Sequence, residues 1–340
     1  MTASGFRRPC FLVWKRECHR SAQLARVLGA EIVYIHPFRE RGQAARALRY
    51  LVSMLLTVAA LLKRRPDFVA MLNQPPFLPL AALAYCGAAG VPFLLDCHSA
   101  AYRARRWAAF RWLYRWLSRR AFVNLNHNRS DVARVEAWGG RAVLLPAVIA
   151  DLPVSRPVPG GEAVYVSAFT ADDPLAAFLA AAARLPGQRF AITGDVRHCP
   201  PELREKLPAN VRFTGYLPRQ DYVDLLAGAP ALIALTTHAD LMQCAAEEAL
   251  CLARPMLTSA SPVLREALGA GAEYCDNSAS DIAAKFEALI AHLPRAQAGI
   301  AAARRERLAA QTRDLARLGL LAAAGAATLS GDSPGAADGH

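Results

Sequence analysis

Residues 231–256, ALIALTTHADLMQCAAEEALCLARPM, decide how the rest of the chain is read. The apolar run 231–235 (ALIAL) has the length and composition of a strand buried on both faces of a parallel sheet. Thr236, Thr237, His238, Ala239 and Asp240 make a polar turn whose side chains suit a helix cap. A helix is expected from near Leu241, carrying Glu247 and Glu248, until Arg254-Pro255 ends it. Strand, polar turn and helix together aim backbone N–H groups and the positive end of a helix dipole at whatever lies above the strand's carboxyl end. That is a seat for a phosphate. The plain alternative is one more βα unit with an acidic helix face, since a doubly wound protein has several such turns.

The same alternation extends outward on both sides. Strands are expected at 10–14 (CFLVW), 31–35 (EIVYI), 68–72 (FVAML), 92–95 (PFLL), 121–125 (AFVNL) and 142–145 (AVLL). The series starts again at 163–166 (AVYV), 190–192 (FAI), 211–213 (VRF) and 256–258 (MLT). Helical segments lie between them, with Ser21 as the expected cap of the first. The stretch 152–161, LPVSRPVPGG, with three prolines and a Gly pair, reads as a linker. The expected organisation is α/β: a domain over 1–153, a second over 162–294, a terminal helix over 295–329 and a flexible tail over 330–340. Two Rossmann-like parallel-sheet domains facing across a cleft are the predicted architecture.

Charge divides the chain at the same place. Residues 1–150 carry 23 Lys and Arg against 7 Asp and Glu, a net of +16, and the remainder carries −4 of the total +12. The first domain is therefore expected to face an anionic partner. The eight cysteines are scattered without a C-x-x-C pair, which argues for free thiols in a reducing compartment and against a zinc site or a disulfide framework. No metal and no cofactor are expected. The first residues, MTASGFRRPCFLVW, lack the apolar run of a signal peptide.

Two segments of the basic half point to lipid. The fifteen residues 48–62, LRYLVSMLLTVAALL, are the most apolar in the chain, with Arg46 before and Lys63-Arg64-Arg65 after. They fall short of the ~20 that a spanning helix needs. A buried crossover helix and a helix lying in the membrane interface both fit. The second segment, 103–120, RARRWAAFRWLYRWLSRR, contains no acid. As one helix it puts Arg111, Arg115 and Arg119 on one face and Trp112 and Trp116 on the next, the composition of an interfacial helix on anionic lipid. A solvated helix packing its tryptophans inward is the alternative. Nucleic acid ranks last, because no recognisable DNA or RNA module accompanies the charge.

The tail 248–256, EALCLARPM, resembles the E-A-M-A-x-G-x-P-V ending of retaining family 4 glycosyltransferases of the GT-B fold. Residues 213–217, FTGYL, are similar to that family's F-x-G-x-v element one strand earlier. The resemblance implies that Asp240 faces the donor sugar, Glu248 the nucleotide ribose, and the backbone of Leu241, Met242, Gln243 and Cys244 the diphosphate. Thr236, Thr237 and His238 line the same turn. The family carries G-R-x-x-x-x-K-G after its first C-terminal strand, whereas here 167–174 read SAFTADDP, with two acids and no base. Either those acids point away or positive charge for the diphosphate comes from elsewhere, with Arg197, Arg219, Arg254 and the helix N-terminus as candidates. Asp173-Pro174 also reads as a helix cap followed by a first-turn proline.

His98, just past a strand, sits where similar enzymes place a histidine near the donor sugar, with Asp96 to orient it. A local hydrogen-bonding role is the alternative. Arg16, His19 and Arg20 occupy the first loop, as acceptor contacts or as solvated residues. The resemblance implies transfer from a nucleotide sugar to a lipid-linked or glycan acceptor, with retention, by a peripheral protein on the cytoplasmic face of the cell membrane. The alternatives are a non-catalytic GT-B-like binding or scaffold protein and a nucleotide-sugar epimerase.

Overall fold

The computed structural model describes residues 6–39, 42–98, 100–157, 161–239 and 241–321. The chain forms two compact units, Met1–Ala150 with Leu308–His340, and Asp151–Arg307.

The first unit runs β1 (Pro9–Val13), α1 (His19–Val27), β2 (Glu31–Tyr34), α2 (Gln43–Arg64), β3 (Phe68–Leu72), α3 (Phe77–Ala89), β4 (Phe93–Cys97), α4 (Ala100–Arg103), α5 (Arg111–Arg120), β5 (Val123–Asn126), α6 (Arg129–Ala137) and β6 (Ala142–Leu144). Its strands form one parallel sheet in the order β2-β1-β3-β4-β5-β6. β1, β3 and β4 are buried along their whole length, as continuous apolar strands covered on both faces should be. Leu315, Leu318, Leu320 and Leu321 close this core from the end of the chain.

The second unit runs β7 (Glu162–Val166), α7 (Leu175–Ala183), β8 (Arg189–Thr193), α8 (Pro201–Glu205), β9 (Val211–Gly215), α9 (Arg219–Gly228), β10 (Leu232–Ala234), α10 (Cys244–Leu252), β11 (Met256–Ser259), α11 (Pro262–Leu268), β12 (Ala272–Cys275), α12 (Ala279–Ala291) and α13 (Leu293–Arg317), whose last turns belong to the first unit. The order β12-β11-β10-β7-β8-β9 places β7 beside β10, with Leu232 in register with both Val164 and Met256. β12 (AEYC) has no counterpart among the expected strands. It is a four-residue edge strand with its middle two residues half-exposed, too short and mixed to read as a buried one.

Three expectations about local structure are corrected. The segment 103–120 is not one helix but α4, a 3-10 stretch Arg105–Phe110, and α5. Trp112 is 67% exposed, while Trp116 packs partly against the core beneath the Arg120 guanidinium, so only one of the two tryptophans is presented outward. Second, α1 starts at His19 rather than after Ser21, which lies buried inside it, and Arg20, the second residue of the helix, reaches Asp96 at the end of the fourth strand.

Third, α2 is 22 residues long, seven more than its apolar stretch, and is long and apolar enough to cross a membrane. It is nevertheless a crossover helix of this unit. Ser53, Thr57 and Leu61 are buried, and Thr57 accepts a 2.9 Å hydrogen bond from the Trp14 indole. Its other side is bare: Leu48, Leu51, Leu55 and Leu62 are 55–65% exposed. Their spacing of three, four and seven residues puts them in one stripe.

Candidate active site

In the second unit the chain order reverses between β7 and β10, so a crevice is expected above the carboxyl ends of these two strands. The residues there form one connected network. Thr236, at the end of β10, donates its hydroxyl to Asp172 at 2.9 Å, and its N–H donates to the Ser259 hydroxyl at 2.8 Å. Ser259 in turn donates to Asn277, whose amide reaches back to the Thr236 carbonyl at 3.1 Å. Gln243 donates to the Leu235 carbonyl at 3.0 Å. The turn between β10 and α10 is thus fixed from three strands, while Thr237 and His238 stand exposed above it. Asp240 lies outside the described residues.

Helix α10 starts at Cys244, three residues later than expected, because Gln243 is spent on the strand and its side chain does not cap. Leu241, Met242 and Gln243 therefore form the loop that leads to the helix, and the N–H groups of its first turn point toward the crevice side of the sheet. One turn on, Glu248 is buried between two partners. Arg219 Nη1 donates to Oε1 at 2.9 Å and the Tyr222 hydroxyl to Oε2 at 2.5 Å. Burial pushes its pKa up, and the two donors only partly offset this. Arg219 is half-exposed beyond this pair, so it can turn to an anion without leaving its helix.

The other two expected cations do not behave alike. Arg197 is exposed and held in a bidentate pair with Asp195, with bonds of 2.6–3.1 Å. Arg254 is corrected: it follows α10, whose nine residues carry the chain back to the amino-terminal edge of the sheet, ~13 Å from the turn. There it is half-buried and cannot meet a diphosphate at the crevice.

Asp173 is also corrected. It caps nothing; the N-cap of α7 is Pro174, and Asp173 accepts hydrogen bonds from the Tyr165 and Ser167 hydroxyls. Burial raises its pKa. The acid that faces the turn is Asp172, held by Thr236. The loop carrying them crosses Gly194, at φ +121°, where a Cβ would collide with the Ser167 carbonyl and the Phe169 ring. Gly194→Ala is expected to cost ~1–3 kcal/mol, measured by urea unfolding; an unchanged midpoint would contradict this packing.

The first unit gathers a second set. Asp96, fully buried at the end of β4, accepts from Arg20 Nε at 3.0 Å, and the same guanidinium donates to the Leu145 and Pro146 carbonyls at 2.7 and 3.2 Å. Arg20 is thus a buried structural cation rather than a solvated or acceptor-facing one. His98 Nε2 lies 3.6 Å from Asp96 Oδ2, and His127 Nε2 lies 4.0 Å from Oδ1. The two imidazoles are neighbours, 4.7 Å apart at their centroids, because Cys97 pairs with Asn126 and each histidine is the next residue. His127 was not singled out in the sequence, although it obeys the strand-end rule that selected His98. Asp96, His98 and His127 bring their donor atoms within 4.8 Å of one another, a spacing that could hold a divalent ion, but Arg20 already neutralises the carboxylate.

Their environments separate the two histidines. Burial works against a charge on His98, but Asp96 and the Cys18 thiol outweigh it and raise its pKa. Burial, with the charges of Arg20 and His98, holds His127 well below its ordinary value. A proton on this pair therefore resides on His98. A depressed histidine contributes stability that is present above its unfolded pKa, ~6.5, and is lost as pH falls. His127→Gln is expected to lose less melting temperature than the parent between pH 7.5 and 5.5; equal losses would contradict the assignment. Of the remaining first-loop residues, His19 opens α1 and Arg16 is exposed beside β1.

The architecture and these strand-end residues define a GT-B protein, two Rossmann-like units each with its polar groups at the carboxyl ends of its strands. Solved structures agree across nearly the whole chain. A sucrose-phosphate synthase from Thermosynechococcus elongatus matches with TM-score 0.61 at 13% identity, over 95% of this chain and 97% of that one. Anabaena HepE in complex with UDP matches with TM-score 0.63 at 13% identity over the same shares. A putative UDP-N-acetylglucosamine 2-epimerase from Listeria monocytogenes matches with TM-score 0.60 at 12% identity, over 90% and 96%. No curated protein sequence matches. Residues 174–318 match the family model described as glycosyl transferase-like. The fold of the chain is thus that of the GT-B proteins, and residues 174–318 are similar to the glycosyl transferase-like family.

Proposed function

We propose that the second unit binds a nucleoside-diphosphate sugar and that the chain transfers the sugar, with retention of configuration, to a lipid-linked or polysaccharide acceptor. The observation that carries this reading is Glu248, a buried carboxylate held at 2.9 and 2.5 Å by Arg219 and Tyr222, one turn behind the start of α10 at the β7/β10 switch point. Its oxygens suit a ribose diol, and the amides from Leu241 to Cys244 suit the diphosphate. Asp240 would face the sugar and His98 would donate a proton to a sugar hydroxyl or to the departing phosphate. The bond broken joins the anomeric carbon to a diphosphate oxygen, and the bond formed joins that carbon to an acceptor hydroxyl. UDP is the first donor nucleotide to try, since the HepE structures hold UDP or UDP-glucose.

A panel of UDP-, GDP- and ADP-sugars with acceptor present tests it. Acceptor-dependent release of nucleoside diphosphate is expected with one of them. Nucleotide binding without turnover would support the scaffold reading. An altered free sugar without acceptor would support the epimerase reading, which the Listeria structure keeps in view.

The proposed setting is the cytoplasmic membrane face, with the exposed leucines of α2 against lipid and Arg111, Arg115 and Arg119 on the exposed side of α5 against anionic headgroups. Replacing the three arginines by Gln is expected to weaken binding to phosphatidylserine-containing vesicles ~100-fold, at about 1 kcal/mol per charge. Unchanged sedimentation would remove α5 from that surface.

A further inference from the structure

Three buried polar atoms at the carboxyl ends of β4 and β5 have no hydrogen-bond partner among the described residues: Asp96 Oδ2, His98 Nε2 and His127 Nε2. They belong to one cluster, in which each residue offers a ligand atom within 4.8 Å of the other two. Buried polar groups are normally paired. No proton can pair these. His98 Nε2 is 3.6 Å from Asp96 Oδ2 and His127 Nε2 is 4.0 Å from Asp96 Oδ1, both beyond hydrogen-bond reach. A metal ion can, since it sits ~2.0–2.2 Å from each ligand atom and spans such gaps at open angles.

The sheet holds the three residues in place for it. Cys97 is in register with Asn126, so His98 and His127 leave adjacent strands side by side, with ring centroids 4.7 Å apart. The His98 N–H donates to Asn73 Oδ1 at 3.1 Å, which fixes the backbone just past β4. Arg20 Nε donates to Asp96 Oδ1 at 3.0 Å and is itself tied to the Leu145 and Pro146 carbonyls. A carboxylate oriented by a hydrogen bond on one oxygen, with the other turned to two imidazoles, is how metal ligands are set by the residues behind them. Asp96 is fully buried, while each imidazole side chain is 20% exposed, which leaves an ion a way in.

Arg20 decides which ion. With Asp96 it makes a pair of no net charge, so a hard cation held through oxygen and charge, such as Mg²⁺ or Ca²⁺, gains little here. A first-row transition ion draws its affinity from imidazole nitrogen, and two are offered. Arg20 occupies Oδ1 and leaves Oδ2 to complete the set.

We propose that Asp96, His98 and His127 form a three-ligand site for a divalent transition ion of the zinc class, and that an ion bound there withdraws His98 from the transfer reaction. Two nitrogens and one oxygen leave at least one position of the ion for water. His98 Nε2 cannot hold the ion and carry a proton at once, so a filled site has no proton donor at that atom. The second half of the proposal rests on the glycosyl-transfer reading; the metal site does not.

The test is equilibrium dialysis of the full chain against Zn²⁺ and Co²⁺, with Mg²⁺ and Ca²⁺ as controls. His98→Gln and His127→Gln are measured alongside, with cooperative thermal melting in metal-free buffer as the check on their folds. One Zn²⁺ or Co²⁺ per chain is expected, and each variant should bind it more than ~100-fold more weakly, since even losses behind the ligands cost ~10–100-fold. Uptake that both variants keep would place the ion elsewhere, on the eight cysteines for instance, and overturn the site. Mg²⁺ taken up as tightly as Zn²⁺ would overturn the ion class. No uptake of Zn²⁺ or Co²⁺ by the folded parent would overturn the site and leave the donor reading standing. In the donor and acceptor assay, release of nucleoside diphosphate should stop as Zn²⁺ fills the site and return on chelation, while whatever transfer His127→Gln retains should resist the ion. Full turnover with Zn²⁺ bound would overturn the withdrawal of His98. Zn²⁺ binding lost in both variants, in a chain that turns over no donor with or without the ion, would support the site and count against the transfer reading.

Discussion

Glu248→Gln is expected to weaken nucleoside-diphosphate binding ~10–100-fold, the loss of one charge-assisted hydrogen bond, while leaving the melting temperature at pH 8 unchanged or higher. The reason lies in the direction of its pKa. Burial raises the Glu248 pKa above its ordinary value despite Arg219 and Tyr222, so the fold prefers the neutral acid. Below the unfolded pKa the carboxyl is protonated in both states and costs nothing. Above the folded pKa it is ionised in both, and the folded chain carries the full penalty. At pH 8 a glutamine, its Oε1 accepting from Arg219 and its amide N–H donating to the Tyr222 hydroxyl oxygen, removes that penalty. A residue kept for packing would behave in the opposite way, losing stability and leaving binding alone. Thermal melts with and without UDP separate the two: a lower melting temperature with undiminished UDP shift would remove Glu248 from the donor site.

Arg20→Met is expected to destabilise the first unit by ~3–5 kcal/mol, because it leaves the buried Asp96 carboxylate without its cation. The guanidinium also ties α1 to the carbonyls of Leu145 and Pro146 beyond β6, so three parts of the unit lose a common anchor. Burial alone would raise the Asp96 pKa, but Arg20 and then His98 hold it well below the usual carboxylate range. A depressed carboxylate contributes stability that is full above its unfolded pKa, ~3.9, and is lost as pH falls further. The deficit of Arg20→Met, read from urea midpoints, is therefore expected to shrink between pH 5 and pH 3. Adding Asp96→Asn should recover part of it at pH 7, since no charge then remains buried. A deficit constant with pH and unrelieved by the second substitution would mean that Arg20 acts by packing alone.

The succession of strands and helices and the two-sheet architecture were legible because their signal is composition over several residues. Runs such as FVAML and ALIAL read as buried strands, and both lie in the sheets. The family resemblance of 248–256 singled out Glu248, and the structure buries that side chain in α10 between polar partners. What escaped depends on contacts between distant residues. Tyr222 reaches Glu248 from another helix, 26 positions away, and nothing in its own surroundings marks it. Asn277 closes the network under Thr236 from the far end of β12, a strand too short to be read. Arg254 looked like a cation for the diphosphate because it is near the motif in sequence, but a nine-residue helix carries it to the other edge of the sheet. Arg20 looked like an acceptor contact or a solvated residue for the converse reason, since its partner Asp96 is 76 residues away. Proximity along the chain misleads wherever a helix intervenes, and only the register of β4 with β5 shows that His98 and His127 are neighbours.

Hydrogen–deuterium exchange of the full chain with and without UDP tests the central claim most directly. UDP should slow exchange over residues 236–248, where the turn and the first amides of α10 would hold the diphosphate and Glu248 the ribose. Protection confined to other strand ends, or no protection anywhere with saturating UDP, GDP or ADP, would contradict it.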